Sequence, residues 1–524
     1  MLESRRVVAL GRSQATETLN SGASPGTTFL FTSMHQSLNK HFSLVPVPFY
    51  YYSSDARRAV IIALDILERV DACIFALPPN PVDLEPFFLV RSRLSRQIPF
   101  IYLPLGEFPR GAWFYRRIHP YLRPGDLILF SSQSDRRIHD LLVESTPAKI
   151  SVQPFGIDVS DFRVTADDRK RARRLLGVDD SEVVFLYHGR ITADKNVHGL
   201  IGAFRRIAAE RPSTRLWIAG DWEGQRLGIR ERSVRDLPSN RLSKLLIKVV
   251  GDENLAKRIT FWGGLSKSSI VELLAAADIA INLTLNPDEN FGYGVVEAMA
   301  AGLPVIGTDW GGLRDTIADG ETGYRISTIQ TQAGVGLDLW QVVQRSLQLV
   351  DNAELRRKMG ESAVRRAQHG FTLERFVASL AQVIESQIGT TFQVEWNTAM
   401  WSNLGKQLIN APSPSLSLRH QVLRPYATSL QAESLDPNAV CFLASNLFQL
   451  KQMHLTSKDP RYPMAGVPLK LNDCEIIRLF EKNHFCSYQF IRAALQRRIA
   501  PRLLRNSLSR LLKAGILIQS AHPG

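Results

Sequence analysis

Glu289 and Glu297 bound the run Glu-Asn-Phe-Gly-Tyr-Gly-Val-Val-Glu, and Ala-Met-Ala-Ala-Gly-Leu-Pro-Val-Ile follows directly. Carboxylates accept hydrogen bonds from hydroxyls, and glycines at 292 and 294 let the backbone come close to a ligand. The second Glu falls one turn into an expected helix, whose free N–H groups attract an anion. Ala277 to Leu283 reads as a buried strand and Pro304-Val305-Ile306-Gly307 as the next one. The run therefore occupies a strand-to-helix loop at the carboxyl edge of a parallel sheet, where open α/β sheets bind ligands. Vicinal hydroxyls beside a diphosphate suit such a loop, and a nucleotide sugar carries both. Two solvated glutamates near a helix start are the plainer alternative. The longer context favours the functional reading: Phe261 to Gly323 carries Gly311-Gly312 after a strand and Gly320-Glu-Thr-Gly323 behind it.

A second cluster lies upstream. His188-Gly189-Arg190 ends an apolar strand, and Lys195-Asn196 precedes a helix from Val197 to Ala209. Taken together, these segments resemble the Glu-x7-Glu signature and basic loop of retaining GT-B glycosyltransferases, especially family 4. The resemblance implies roles. Glu289 touches the donor sugar, the Phe291-Gly292 backbone approaches it, Asn290, Tyr293 and Gly294 join the donor-binding set, and Glu297 holds the nucleotide ribose. Gly189, Arg190 and Lys195 form the phosphate loop, with the two cations stabilising charge on the departing diphosphate. Arg190, Lys195 and Glu289 are thus the catalytic candidates. Retention can come from double displacement, which needs a carboxylate below the sugar ring, or from same-face attack. The resemblance implies the latter; the residues alone do not choose.

The acceptor side departs from the family pattern. Pro25-Gly26 stands where the family has Gly-Gly, and Leu103-Pro104-Leu105-Gly106-Glu107 fills the position of a family His without one. Gly26, Glu107 and Arg110 are the acceptor-side candidates, and His119 lies too far along the chain. No Asp-x-Asp metal cluster accompanies the donor loop, so neither a metal nor a cofactor is expected beyond the nucleotide sugar as co-substrate.

These loops need sheets to hold them. Short apolar runs alternate with helical stretches from Arg6 to Gln153, and again from Glu182 to about residue 370. Charged Asp167 to Arg174 reads as the join, and Leu373 to Glu385 as a closing helix that in the family crosses back to the first domain. The expected fold is α/β of GT-B type, two Rossmann-like domains facing a cleft: residues 1–165 for the acceptor and 166–389 for the donor. The βα rhythm then stops. Residues 390–465, with Pro412, Pro414, Pro425, Pro437, Pro460 and Pro463, read as a linker with short helices. Residues 466–524 read as a small, mostly α, winged-helix-like module whose last helix buries Leu504, Leu508, Leu511 and Leu512 on one face. On this reading a chain ending near Glu385 folds and keeps its activity.

At 524 residues two or three domains are expected, and 44% hydrophobic with 22% charged residues is a folded composition. Cys73, Cys441, Cys474 and Cys486 are scattered without a Cys-x-x-Cys pair, which argues against a disulfide framework or zinc site and fits a reducing compartment. No signal-peptide core or bilayer-spanning run is seen, so the expected location is cytoplasmic, with a peripheral place at the inner membrane face as an option. Lys plus Arg of 64 against Asp plus Glu of 50 leaves +14, which suits nucleotide diphosphates, anionic lipid or nucleic acid, or only a solvated surface. Arg226, Arg230, Arg232, Arg235, Arg241, Lys244 and Lys248, with Leu245, Leu246, Ile247 and Val249, suggest a face for an anionic membrane. A solvated basic insertion is the favoured alternative. Arg502, Arg505, Asn506, Arg510 and Lys513 line the polar side of the last helix. This admits a binding protein whose module recruits a partner or, ranked lower, nucleic acid. Within enzymes, a sugar-phosphate synthase or a phosphorylase of the same fold is the runner-up. The leading expectation is a nucleotide-sugar-dependent hexosyltransferase acting on a glycan, lipid or small-metabolite hydroxyl.

Overall fold

The computed structural model describes residues 6–11, 25–47, 56–77, 81–104, 118–142, 146–222, 237, 241–286, 288–331, 334–389, 429–430, 436, 439–443, 471–483, 485–513 and 516–523. The chain divides into two compact units, one of Met1–Val159, Pro287–Tyr293 and Gln368–Pro425, the other of Ser160–Asn286, Gly294–Ala367 and Tyr426–Gly524.

In the first unit β1 (Val7–Gly11), β2 (Ser43–Val47), β3 (Ala72–Leu77), β4 (Phe100–Pro104), β5 (Leu127–Phe130) and β6 (Lys149–Val152) form one sheet in the order β2-β1-β3-β4-β5-β6. Every pairing is parallel. Helices α1 (Pro25–Leu38), α2 (Ala56–Arg69), α3 (Pro81–Arg91) and α4 (Gln133–Leu142) alternate with the strands, and α14 (Leu373–Gln387) packs on α1. The β4 strand is buried along its whole length, as a sheet covered on both faces requires. Beneath it, Arg91 forks onto Asp126 at 2.6 and 3.0 Å with both side chains almost wholly buried. Asp126 also accepts from the backbone of Phe100 at 2.8 Å and of Arg123 at 2.9 Å, which leaves little of its charge unmet.

The second unit repeats the plan. Its strands are β7 (Val183–His188), β8 (Thr214–Ala219), β9 (Ile259–Gly263), β10 (Ile279–Asn282), β11 (Val305–Thr308) and β12 (Gly323–Ile326), in the order β12-β11-β10-β7-β8-β9. All of these strands also run parallel. The helices are α5 (Ala166–Leu175), α6 (Val197–Glu210), α7 (Arg241–Val250), α8 (Glu253–Ala256), α9 (Lys267–Ala276), α10 (Tyr293–Ala300), α11 (Leu313–Thr316), α12 (Leu339–Asp351) and α13 (Ala353–Gly370). The expected join at Asp167 to Arg174 is α5, opened by a Thr165–Asp168 capping box. Its charges are partly structural. Arg173 donates to Asp278 at 3.1 Å and to the Ala276 carbonyl at 3.0 Å, and Asp278 accepts from Val184 N at 2.8 Å.

Two expectations change here. In α7 Leu245, Leu246, Val249 and Val250 are buried, and the helix packs on α6. The residues meant for lipid serve the core instead, and of the four apolar residues named for that face only Ile247 is exposed; Arg226, Arg230, Arg232 and Arg235 lie outside the described residues. Where a linker with short helices is expected, Ser429–Leu430 and Ala439–Leu443 are strands, β15 and β16. Hydrogen bonding between β13 (Thr328–Thr331), β14 (Gly334–Leu337) and β15 makes a small sheet. A further sheet runs β17 (Phe485–Ser487), β16, β18 (Leu517–Pro523), antiparallel throughout. On it lie α15 (Leu471–Asn483), α16 (Tyr488–Leu495) and α17 (Pro501–Lys513), a winged-helix-like set whose third strand comes from before the helices. Leu504, Leu508, Leu511 and Leu512 are buried as the spacing predicts.

This C-terminal set is part of the second unit's core and not a separate tail. Ile476, Phe480, Leu508 and Ile518 join one hydrophobic cluster with Ile329, Leu337 and Trp340. Ser520 Oγ donates to the buried Asp338 carboxylate at 2.9 Å, and the Trp340 and Phe485 rings lie 5.6 Å apart. Arg510, expected to face a partner, is bound to buried Asp473 and to Ser507. Among the described residues no helix is long and apolar enough to cross a membrane.

Candidate active site at the sheet's switch point

The second sheet reverses its winding between β7 and β10. From β7 the chain proceeds outward through β8 and β9, then returns to place β10, β11 and β12 on the other side. Loops leaving the carboxyl ends of β7 and β10 therefore separate to opposite faces and open a crevice between them, the usual ligand position in such sheets. Arg190 and Lys195 lie on the first of these loops. The second begins at Leu283 and runs into the Glu-x7-Glu segment.

The two loops are tied together: Leu285 N–H donates to the Asp194 carbonyl at 2.9 Å. Each is also braced on its own side. The Tyr187 hydroxyl donates to the Arg190 carbonyl at 2.7 Å, and Ile191 N–H reaches the Asp221 carbonyl at 2.9 Å. From β11, Thr308 Oγ1 donates to the Thr284 carbonyl at 2.7 Å, and Trp310 Nε1 donates to Asn286 at 2.8 Å. Gly189 and Arg190 are exposed at the strand end, while Lys195 is half-buried. Asn196 enters α6 in the left-handed region, with φ of 56°, a conformation that Asn tolerates better than most side chains. Its amide packs over Gly199, where an added Cβ would stand 2.5 Å from Asn196 Oδ1.

Glu297 lies in α10, one turn in, as the sequence predicts. There it meets a partner the sequence did not announce: His188 Nε2 is 2.9 Å from Glu297 Oε2. Gly294 makes room for that contact. A Cβ at 294 would lie 2.8 Å from the His188 carbonyl oxygen and 3.0 Å from its Nε2, so its missing side chain accommodates a strand of the same chain. Gly292, with φ of 80°, supplies the turn before the helix.

The remaining donor-side candidates, Glu289 to Tyr293, group with the first unit. The Phe291 ring is buried and meets Phe155 at 5.9 Å, Phe371 at 5.7 Å and Tyr293 at 5.0 Å. Aromatic packing anchors this stretch. Ser131 Oγ donates to the Asn290 carbonyl at 3.4 Å, and the Asn290 Nδ2 is buried without an acceptor among the described residues. Glu289 is half-buried. On the acceptor side, Gly26 lies in the first turn of α1, while Glu107 and Arg110 lie outside the described residues.

Sequence reasoning missed the His188–Glu297 contact, the left-handed conformation of Asn196 and the packing of Phe291 on Phe155 and Phe371. Only Asn196 left a signal, standing at a helix start directly after Lys195. Among the described residues, no group of three or more His, Cys, Asp or Glu could hold a metal ion.

Paired six-stranded parallel sheets, one bearing this loop pair at its switch point, define the GT-B class of fold. Residues 168–366 match the family model described as Glycosyl transferases group 1. Among solved structures, sucrose-phosphate synthase from Thermosynechococcus elongatus aligns with a TM-score of 0.53 at 17% identity, covering 73% of this chain and 99% of that one. HepE from Anabaena, solved in complex with UDP and glucose, aligns with a TM-score of 0.54 at 17% identity, covering 73% of this chain and 100% of that one. At these identities the likeness is one of fold. Among curated relatives, the N-acetyl-alpha-D-glucosaminyl L-malate synthase of Bacillus anthracis is 28% identical over 211 residues, 40% of this chain and 47% of that protein. A D-inositol 3-phosphate glycosyltransferase of Mycobacterium sp. (strain KMS) is 32% identical over 182 residues, 35% of this chain and 37% of that protein. The chain thus spans less than half the length of the curated relatives it matches.

Proposed function

We propose that this protein is a retaining glycosyltransferase that moves a hexosyl group from a nucleotide-diphosphate sugar to an acceptor hydroxyl. One observation carries the reading. Arg190 and Lys195 lie on the loop leaving β7, that loop is bonded to the loop leaving β10, and the latter leads to a carboxylate one turn into α10. Cations at a strand end beside helix termini suit a departing diphosphate, and a carboxylate one turn further on suits ribose hydroxyls. The named activities of the relatives, and the UDP and glucose bound in HepE, support a nucleotide sugar as donor.

In this mechanism Glu297 accepts from the ribose hydroxyls, while Glu289 and the backbone from Asn290 to Gly294 take the sugar. Arg190 forks onto diphosphate oxygens and Lys195 supplies a point charge, both stronger as negative charge develops on leaving. The acceptor attacks on the face the diphosphate leaves, and a diphosphate oxygen takes its proton. No metal or further cofactor enters the scheme. The location that suits it is the cytoplasm, where nucleotide sugars are available and buried thiols such as Cys73 stay reduced. The C-terminal helices add a docking role for an acidic protein partner: Arg492, Arg497, Arg502 and Arg505 are exposed, and residues 488 to 513 contain no acidic side chain.

The test is a panel of UDP-, ADP- and GDP-hexoses offered with simple glycan, lipid and polyol acceptors, with nucleotide release and product stereochemistry measured. Turnover of one donor with retained anomeric configuration is expected. Absence of both binding and turnover across the panel would sink the proposal, and an inverted product would sink the retaining part.

A further inference from the structure

Resting on the donor reading above, we infer that His188 is a positioning residue for Glu297. It holds one carboxylate oxygen so that the other faces the ribose hydroxyls of a nucleoside diphosphate. The geometry assigns the proton. A carboxylate only accepts, so a ring nitrogen 2.9 Å from it must carry hydrogen, which makes Nε2 the donor. Glu297 Oε2 is then engaged, while Oε1 takes no hydrogen bond from the described residues.

The ring is held from several sides. Its side chain is 8% exposed against 23% for Glu297, so the histidine forms the inner member of the pair. The His188 backbone is the last rung of β7, in register with Ala219 of β8, and Gly294 closes over it. The recess beside it, lined by Leu186, Asn282, Gly294 and Val295 among others, has about 10 Å³, enough for one water. The imidazole therefore has no second place to go. A glutamate otherwise free to rotate about three bonds is presented in one orientation by a rigid sheet edge, which lowers the ordering cost of binding.

The test uses the full chain with His188→Phe, which keeps a ring but removes the donor, and His188→Gln, which can return one. Affinities for UDP, ADP and GDP are measured by calorimetry, and the tightest is compared with its 2′,3′-dideoxy counterpart. The unaltered protein is expected to prefer the ribonucleotide. His188→Phe should reduce that preference by ~10-fold or more while leaving dideoxy affinity nearly unchanged. His188→Gln should restore part of it, and adding His188→Phe to Glu297→Gln should cost nothing further. A merely structural role lowers both affinities alike, and that result would overturn the inference. Should the phenylalanine variant not fold, nitrogen-15 histidine spectra of the unaltered chain decide. A neutral Nδ1–H tautomer at His188 overturns the inference, and an Nε2–H signal displaced by Glu297→Gln supports it. If the unaltered chain binds none of the diphosphates, the donor reading falls and takes this inference with it. If Glu297→Gln loses the ribose preference and His188→Phe keeps it, only the inference falls.

Discussion

Arg190 and Lys195 differ in setting, one exposed and the other half-buried, and their expected losses share a form. On the proposed mechanism, replacing either with Ala should cut turnover at saturating donor by ~10²–10³, with a smaller change in donor affinity, because the charge they would meet grows as the diphosphate leaves. Steady-state rates beside calorimetry separate the two, and near-parental turnover in either variant would remove that residue from the leaving-group role. A different residue reports on stability. Burial lowers the pKa of His139, and the Asp140 contact only partly offsets it. The folded chain thus disfavours the charged imidazole, whereas the unfolded chain titrates near ~6.5. The His139 contribution is intact above that pH and shrinks as pH falls below it. His139→Gln should therefore flatten the fall in stability between about pH 6.5 and 5, as read by denaturant melts. The acidic pair and the basic loop were legible because residue type and spacing both spoke. His188 was not, since its partner lies 109 positions away and a lone histidine ending a strand carries no spacing signal.

At the scale of elements, the strands that position the site were legible as apolar runs of strand length bounded by turn residues, which is what burial on both sheet faces demands. What stayed hidden were elements whose local chemistry points elsewhere. Helix α3 contains Pro86 in its interior and begins at Pro81, so its helical period was masked by a residue that normally breaks helices. In α5 the charged run read as a join between the halves, yet Arg173 is 5% exposed and locks α5 onto the start of β10. Helix α7 has lysines beside leucines, a pattern common to a membrane face and to an ordinary amphipathic helix; only packing on α6 decides. The Arg91–Asp126 pair belongs here too, because it pins α3 to the loop before β5. Asp126→Ala should cost about 3–5 kcal/mol, since it leaves a buried guanidinium without its counter-charge. Urea unfolding of the full chain checks this; a loss under about 1 kcal/mol, the range of exposed pairs, would mean water reaches the arginine.

Across the whole molecule, the βα rhythm announced the two sheets, and the family resemblance the GT-B class of fold, but not where the C-terminal residues belong. Prolines between 412 and 463 suggested a tether, and a tether suggested independence. The contacts argue otherwise. Ile518 lies so close to Gly336 that a Cβ there would overlap it, Ser520 caps the buried Asp338 carboxylate, and β15 extends the edge of β13. Ser520 and Asp338 are 182 residues apart in sequence, and even the β13–β15 partners, Ile329 and Ser429, lie far apart along the chain, beyond what pattern or periodicity reports. We therefore expect a chain ending at Gln387 to lose stability in its second unit, with Ile329, Leu337 and Trp340 uncovered and an apolar dye bound where the full chain binds none. Ile518→Ala in the full chain should weaken the same unit by about 2–5 kcal/mol, the range for truncating a buried isoleucine. Thermal melts of the truncated and full chains, with dye binding at ambient temperature, give the comparison. Matching melting temperatures and no added dye binding would show that the second unit is complete without its C-terminal residues, and the helices would revert to an appended module. A lowered melt in both the truncation and Ile518→Ala would make residues 426–524 a structural part of the unit that carries Arg190, Lys195 and Glu297.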